Sequence, residues 1–440
     1  MEDSYIINGG KKLTGTVEIS GAKNAALKML IASLLFNEKI TLHNVPRIAD
    51  VQELINLINS LGADARFIAK NTVEIDPREL AINRVDLLYA AKIRVSFMLF
   101  APLLKKFGHC FVPNPGGCRI GARPIDRIIF GMKTLGIEVN YDSETGYYEA
   151  QMDQPVKGSY KFDKPTHTGT ELLILLALHG KETIHIDNAA QEPEIDNLIE
   201  FLNESGAKIK KTGTKISIEG VKELKFKKPF YIMQDRNEAV TFSSLVLSTG
   251  GQVEIKNIAT YLIEPYLKKL KAAGVLLNIY KNGFSCANNG LMHATNIETS
   301  PHPGFMTDWQ PSWAVLMTQA EGTSIIHERV FENRFSYVEE LRKLGAQIEY
   351  VKLPVKNPAE YFFFNFDPNK IYNQAIKIRG VQKLHGGALN VADLRAGATL
   401  AIAALTAEGE SIINGVSILE RGYENFVEKI KNLGGGIEKI

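Results

Sequence analysis

VQELINLINSLGADARFI, residues 51–68, states a rule that the rest of the chain repeats. Val51, Leu54, Ile55, Ile58 and Leu61 keep the i, i+3, i+4, i+7 spacing of a helix with one buried face. Gly62 follows, the residue that ends such a helix with a left-handed C-cap. The alternation beyond it reads as a strand. Five further stretches follow the same order: IIFGMKTLGIEVNY (128–141), IDNLIEFLNESGAKIKK (195–211), IEPYLKKLKAAGVLLNI (263–279), YVEELRKLGAQIEYV (337–351) and YENFVEKIKNLGGGIEKI (423–440). Their glycines are Gly62, Gly136, Gly206, Gly274, Gly345 and Gly434, spaced by 74, 70, 68, 71 and 89 residues. Strand-like leads such as ITLHNVP, ETIHIDNAA, GQVEIKNIA, TSIIHERVF and ESIINGVS precede most copies.

A period of this length, mixing strands and helices, describes subdomain-sized units rather than a solenoid. Three units make a domain of about 210 residues, an ordinary size. Two similar α/β domains of three units each are therefore expected. The long last interval holds VKNPAEYFFFNFDPNKIYNQ (355–374), which reads as a loop elaboration without evident chemistry. ISGAKNAALKMLIASLL (19–35) and IMQDRNEAVTFSSLVLSTGG (232–251) each start as a loop and turn helical, the first at about Ala25. With the N-terminal strand joined to the second domain, the division expected is 1–22 plus 235–440 and 23–234, with a double crossover near Lys23 and Asp235. A cleft lined by helix N-termini favours anions.

Composition narrows the class. With 440 residues and a net charge of +2, and no basic run or stripe, nothing points to nucleic acid. Cys110, Cys118 and Cys286 form neither a CxxC pair nor an even disulfide set, so a reducing, cytoplasmic setting is expected. The polar start MEDSYIINGG is no signal peptide, and no apolar run reaches membrane-spanning length. Nine histidines without metal-ligand spacing give no reason to expect a metal. The sequence sets no oligomeric state.

Several residues have chemistry to offer. Cys118 sits in NPGGCRIGARPID (114–126) beside Arg119 and near Arg123, and such cations stabilise a thiolate. Gly116, Gly117 and Gly121 allow that loop to move as a lid does, although a passive loop cysteine fits the spacing too. Lys23 and Asn24 precede a helix and read either as an anion-holding turn or as a solvated N-terminus. Arg94, in AAKIRVSFMLFAPLL (90–104), is a charge within an otherwise apolar helix and needs a carboxylate partner or an anionic ligand. Arg123, Arg334, Arg395 and Arg421 stand at loop–helix junctions, where arginine grips phosphate or carboxylate bidentately. Asp308, in TDWQ (307–310), has N-capping as its ordinary role and acceptance of a hydroxyl proton as its functional one. No Walker A, GxGxxG or Ser-His-Asp pattern occurs.

SGAKNAAL (20–27), PGGCRIGARPID (115–126), NAAQEPEI (188–195), PGFMTDWQ (303–310), FENRFSYVEEL (331–341), ADLRAGA (392–398) and ERGYEN (420–425) occur in order across almost the whole chain. Together they resemble the signatures of the enolpyruvyl transferases, in particular those acting on UDP-N-acetylglucosamine. The resemblance implies a two-domain inside-out α/β barrel with three similar units per domain. It also implies transfer of the enolpyruvyl group of phosphoenolpyruvate to the 3-hydroxyl of UDP-N-acetylglucosamine, with release of phosphate and without metal or organic cofactor. By that resemblance Cys118 is the loop acid and Asp308 accepts or orients the sugar hydroxyl. Lys23, Arg123 and Arg421 hold phosphoenolpyruvate, and Arg395 stabilises charge. Asn24, Arg94, the Arg123–Arg127 run with Pro124, Ile125 and Asp126, then Thr168, Gly169 and Val330, line the nucleotide-sugar pocket. PTHTGTE (165–171) departs from the family's Ser-Val-Gly segment, and Trp309 stands where methionine is frequent. Two rival readings remain: a 5-enolpyruvylshikimate-3-phosphate synthase, against which the cysteine loop argues, and a non-catalytic nucleotide-sugar-binding relative, against which Cys118, Lys23, Asp308 and Arg421 argue.

Overall fold

The computed structural model describes residues 3–117, 124–290 and 292–440, and so leaves Cys118 and Arg123 outside the described residues. The chain forms two compact units. One holds the described residues 21–117 and 124–233, the other 3–20 and 234–440. The chain passes from one unit to the other after Ser20 and after Met233.

Each glycine of the repeat has the left-handed backbone its position requires, with φ of 100° at Gly62, 92° at Gly136, 101° at Gly206, 83° at Gly274, 93° at Gly345 and 91° at Gly434. A Cβ at Gly206 would meet no atom within 4 Å, so only backbone strain opposes a side chain there. Gly206→Ala is therefore expected to lower stability by about 1–2 kcal/mol, measured by urea unfolding.

Behind each glycine lies a sheet of one recurring pattern: a parallel lead strand, then three antiparallel strands. In the first unit these are Phe230–Tyr231, Ile40–His43, Thr72–Asp76 and Asp64–Ala69, and likewise Ser159–Lys161, Ile184–Asp187, Lys215–Glu219 and Lys208–Thr212. The remaining sheet, His109–Pro113, Tyr147–Gln151 and Glu138–Asp142, has a single parallel bridge from Arg84 to Phe111 where the lead strand would lie. The second unit repeats the order with Thr14–Glu18, Gln252–Lys256, Gly283–Ala287 and Leu276–Tyr280, and with Ile297–Glu298, Gly322–His327, Ala375–Gly380 and Ile348–Tyr350. Its last sheet is Ala388–Asn390, Glu410–Asn414, Ser4–Asn8 and Gly436–Lys439, so the N-terminal strand completes the C-terminal repeat.

A second recurring device follows the lead's partner strand. Asn44, Asn188 and Asn257 adopt positive φ, and their side-chain amides donate to Ile232 O, Phe162 O and Ile19 O at 2.8, 2.9 and 3.1 Å. Asparagine tolerates the left-handed region and carries a donor, so it turns the chain and pins the lead strand together.

Helices fill the interior of each unit. Arg236–Ser248, Gln310–Thr318 and Leu394–Thr406 are buried at nearly every position and pack against one another. In the other unit Lys23–Ala32 and His167–Ala177 are buried along most of their length. The peripheral helices are amphipathic, as Ala49–Ser60 illustrates by burying Val51, Leu54, Ile55, Leu57 and Ile58. Sheets outside and helices within give the inside-out α/β fold. Among the described residues no helix is long and apolar enough to cross a membrane.

Two local expectations need correction. The helix near Lys23 begins at Lys23 itself, two residues earlier than its apolar pattern indicates. Residues 90–104 are not one helix: Leu87–Lys92 stops, Ile93 is extended, and a 3-10 turn at Arg94–Leu99 leads into Phe100–Phe107. The carbonyls of Ala90 and Ala91, which a continuous helix would use internally, accept instead from Gly116 N and Gly117 N at 3.2 and 3.3 Å. The insertion at 355–374 folds as an aromatic cluster in which Phe362 stacks on Phe364 and Phe366, while Phe363 N donates to Arg329 O at 2.8 Å.

Candidate active site

In the unit containing the C-terminus, an aspartate stands just before each of the three interior helices: Asp235 and Asp393 at the N-cap, and Asp308 one residue ahead of the N-cap Trp309. Asp235 caps its helix through Asn237 N and Glu238 N at 2.8 and 3.1 Å, and Asp393 caps through Arg395 N and Ala396 N at 2.9 and 3.0 Å. Asp308 breaks the pattern. Its helix starts without a side-chain cap, and its carboxylate turns to two arginines. Arg334 Nη2 donates to Oδ1 at 2.7 Å and Arg395 Nε to Oδ2 at 3.2 Å.

Both arginines are buried, 5% and 7% exposed, whereas the Asp308 side chain keeps 23% of its surface open. Burial alone would raise the Asp308 pKa, but Arg334 and Arg395 outweigh it and hold the carboxyl well below the usual carboxylate range. Arg334 also donates through Nη1 to Thr307 Oγ1 at 2.7 Å, and Thr307 donates to Glu328 Oε2 at 2.8 Å. Glu328 is fully buried, and that burial raises its pKa against the opposing pull of Arg334, the Thr307 hydroxyl and the amides of Val330 and Phe331. Its other oxygen accepts from Val330 N at 2.7 Å and Phe331 N at 3.1 Å, fixing the turn that carries Val330. Gln374 closes this turn by donating to Glu328 O and Phe331 O.

Arg395 has a further property. The guanidinium lies over the Tyr423 ring, 5.3 Å from its centroid, yet its buried Nη1 has no hydrogen-bond partner among the described residues. A buried, unsatisfied cationic donor at a helix N-terminus is a strong attractor for an anionic oxygen. Trp309 faces away from this chemistry: fully buried, it donates to Asn237 Oδ1 at 2.9 Å and packs edge-on against Phe305 and Tyr266.

The other unit holds the remaining described candidates except Arg421, which belongs to the unit containing the C-terminus. Lys23 Nζ lies 2.5 Å from Asp50 Oδ2, and both side chains are largely covered. Gly116 and Gly117 seat the approach to Cys118 on the Leu87–Lys92 helix. A Cβ at Gly116 would fall 1.8 Å from Ala91 O, and one at Gly117 would fall 3.0 Å from Arg94 Cβ. Arg94 is half-buried over Phe97. Pro124 is exposed, Ile125 buried, and Asp126 opens the Asp126–Thr134 helix. Arg127 Nε meets Asp163 Oδ1 at 2.7 Å. Thr168 and Gly169 sit in the first turn of His167–Ala177, and a Cβ on Gly169 would fall 2.5 Å from Thr166 Cγ2. Beneath them Lys28 Nζ, Glu171 and His167 Nε2 form a buried charge cluster with contacts of 3.1 and 3.3 Å. Asn24 lies in the first turn of Lys23–Ala32, and Arg421 at the end of the short Ser417–Glu420 helix. Arg334 is legible in FENRF as a junction arginine, but its pairing with Asp308 is not. Glu328, Tyr423 and Gln374 carry no local signal at all.

A family profile described as EPSP synthase (3-phosphoshikimate 1-carboxyvinyltransferase) matches residues 7–430. The chain belongs to this family. It is an enolpyruvyl (carboxyvinyl) transferase by that membership. Among curated members it is 38% identical to the UDP-N-acetylglucosamine 1-carboxyvinyltransferase of Bartonella quintana, over 100% of this chain and 99% of the relative. The protein of the same name from Idiomarina loihiensis is also 38% identical, with the same coverage. Among solved structures, the enolpyruvyl transferase NikO from Streptomyces tendae superposes with a TM-score of 0.84 at 20% identity, covering 100% of this chain and 99% of that one. EPSP synthase from Acinetobacter baumannii gives 0.73 at 17% identity, with both chains covered fully. At such identities these two structures establish the fold alone.

Proposed function

We propose that the chain transfers the enolpyruvyl group of phosphoenolpyruvate to the 3-hydroxyl of UDP-N-acetylglucosamine and releases phosphate, a committed step of peptidoglycan synthesis in the cytoplasm. The observation that carries this reading is the Asp308 carboxylate held between Arg334 and Arg395, with the Arg395 Nη1, unpartnered among the described residues, beside it. An arrangement of this kind accepts a hydroxyl proton bond and stabilises anionic oxygen in one place. The names of the 38%-identical relatives support the same acceptor.

In the proposed reaction a proton adds to the methylene carbon of phosphoenolpyruvate, and the sugar oxygen bonds to the carbon bearing the phosphate. The hydroxyl proton leaves as that bond forms. The resulting tetrahedral intermediate then loses a proton from the new methyl group, the carbon–phosphate oxygen bond breaks, and phosphate departs. Cys118 donates the first proton. Asp308, whose pKa is lowered, is too weak a base to ionise an ordinary sugar hydroxyl. It orients that hydroxyl and takes the proton only once carbon–oxygen bond formation has made it acidic. Lys23, Arg123 and Arg421 hold phosphoenolpyruvate, and Arg395 offsets charge on the intermediate. Asn24, Arg94, Pro124, Ile125, Asp126, Arg127, Thr168, Gly169 and Val330 contact the nucleotide sugar.

The thiol assignment has a direct test. Cys110 and Cys286 are buried, and burial pushes the Cys110 thiol up and the Cys286 thiol up to about 12, so both resist forming a thiolate. Fosfomycin, an electrophile, is expected to add one equivalent to the folded protein at Cys118, located by peptide mass spectrometry, and none to Cys118→Ser. An adduct on another residue would remove Cys118 from its role. Mass spectrometry of the sugar product then tests the reaction itself, which requires the enolpyruvyl ether of UDP-N-acetylglucosamine.

A further inference from the structure

The sixfold repeat makes the C-terminal ends of the interior helices comparable, position by position, within each unit. The strand that follows each of these helices has as its first buried residue Ile40, Cys110 or Ile184 in one unit, and Val253, Ser324 or Ser411 in the other. Five residues earlier stand Leu35, Lys105 and His179 in the first unit, and Ser248, Gln319 and Thr406 in the second. Each lies in the last turn of an interior helix or just beyond it, where the final carbonyls and the helix dipole favour a cation. The first unit supplies that cation itself. Lys105 Nζ donates to Leu35 O at 2.6 Å, and burial, aided by the Lys105 charge, pushes the His179 pKa down to about 3.

The second unit has no lysine at the three equivalent positions. Ser248, Gln319 and Thr406 instead line one cavity of about 280 Å³. Ser248 is 3% exposed, and its buried Oγ has no hydrogen-bond partner among the described residues. Gln319 spends its amide nitrogen on Thr318 Oγ1 at 2.9 Å and Gln382 O at 3.2 Å, and Thr406 spends its hydroxyl hydrogen on Ile402 O at 2.8 Å. What these two side chains retain is the capacity to accept. Val381, 67% exposed, and Leu405 add apolar wall to the same cavity. Lys11 and Glu408 also line it, both exposed and neither ion-paired among the described residues. Their charges offset each other, so the helix ends set the sign.

We propose that this cavity binds the primary ammonium group of a small alkylamine, in the place that Lys105 takes in the other unit. An ammonium carries three N–H donors, which match the oxygens of Ser248, Gln319 and Thr406. The attached carbon chain lies against Val381 and Leu405, which a bare metal ion would leave unused. The site stands at the ends of the interior helices opposite to Asp308, and so is separate from the proposed transfer chemistry.

The probe is n-butylammonium chloride on the full chain, compared with 1-butanol as its neutral counterpart and with potassium chloride at equal ionic strength. The amine is expected to slow hydrogen exchange at amides 248–251 and 405–409 in a saturable way, and the other two to leave it unchanged. Ser248→Ala removes a hydroxyl that has no partner to lose, so the fold should persist while binding, read from the concentration dependence of that protection, weakens about tenfold. Thr406→Lys supplies the ammonium from the chain and should abolish the response to the amine. Ser248→Ala carries the test by itself if the lysine variant does not fold. No protection by the amine, equal protection by butanol or by potassium, protection confined to other amides, or undiminished binding in Ser248→Ala overturns the proposal.

Discussion

Asp308→Ala is expected to lower kcat by about 10²–10⁴-fold, the range for loss of a positioned proton acceptor. Binding of UDP-N-acetylglucosamine, followed by calorimetry, should change far less, because one contact among many is removed. Asp308→Asn should restore little. An amide keeps an acceptor oxygen but leaves Arg334 and Arg395 without the charge that compensates them. Arg334→Met is the sharper companion variant. With one of the two opposing cations gone, the Asp308 pKa rises and the acid limb of the rate profile moves to higher pH. The stability linkage has a definite sign. A carboxyl whose folded pKa is depressed contributes stability above the unfolded value of about 3.9, and that contribution is lost as pH falls through the folded value. The stability difference between wild type and Asp308→Asn should therefore shrink on acidification below about pH 4. An unchanged kcat in Asp308→Ala would remove this residue from the chemistry.

The second large effect is structural. Glu171 is fully buried and faces Lys28, itself 5% exposed, with His167 on its other side. Burial tends to lower the His167 pKa, but Glu171 outweighs it and the net shift is upward. Glu171→Ala leaves the Lys28 cation buried without this partner and should cost about 3–5 kcal/mol in urea unfolding. Lys28→Met combined with Glu171→Leu removes both charges together and should recover most of that loss. A single variant as stable as wild type would show that water reaches Lys28.

The repeat was legible because its signals are local. A glycine after an amphipathic helix has one backbone to offer, and all six positions take it. The asparagines at 44, 188 and 257 stood in the quoted leads, but their meaning depends on a carbonyl supplied by a strand distant in sequence. The break at Ile93 was not legible for the same reason. The apolar pattern through Arg94 is continuous, and the amides of Gly116 and Gly117, arriving from another segment, claim carbonyls that would have extended the helix, joined at Ala90 O by the Ser96 hydroxyl. Asp308 illustrates the limit for chemistry. From sequence it is an aspartate at a turn leading into an apolar helix, where capping is the ordinary fate. Packing alone distinguishes it by bringing up Arg334 and Arg395. The family signatures named Asp308 and Arg395 without that geometry, and they named Cys118 and Arg123, which lie outside the described residues.

The central claim concerns donor and acceptor together, and phosphate release tests both in one measurement. Purified protein is incubated with phosphoenolpyruvate and either UDP-N-acetylglucosamine or shikimate 3-phosphate, and phosphate is followed by a coupled assay. Release with the nucleotide sugar, absent with shikimate 3-phosphate and lost in Asp308→Ala, is the result predicted. Release with shikimate 3-phosphate alone, or with neither acceptor, would contradict the account.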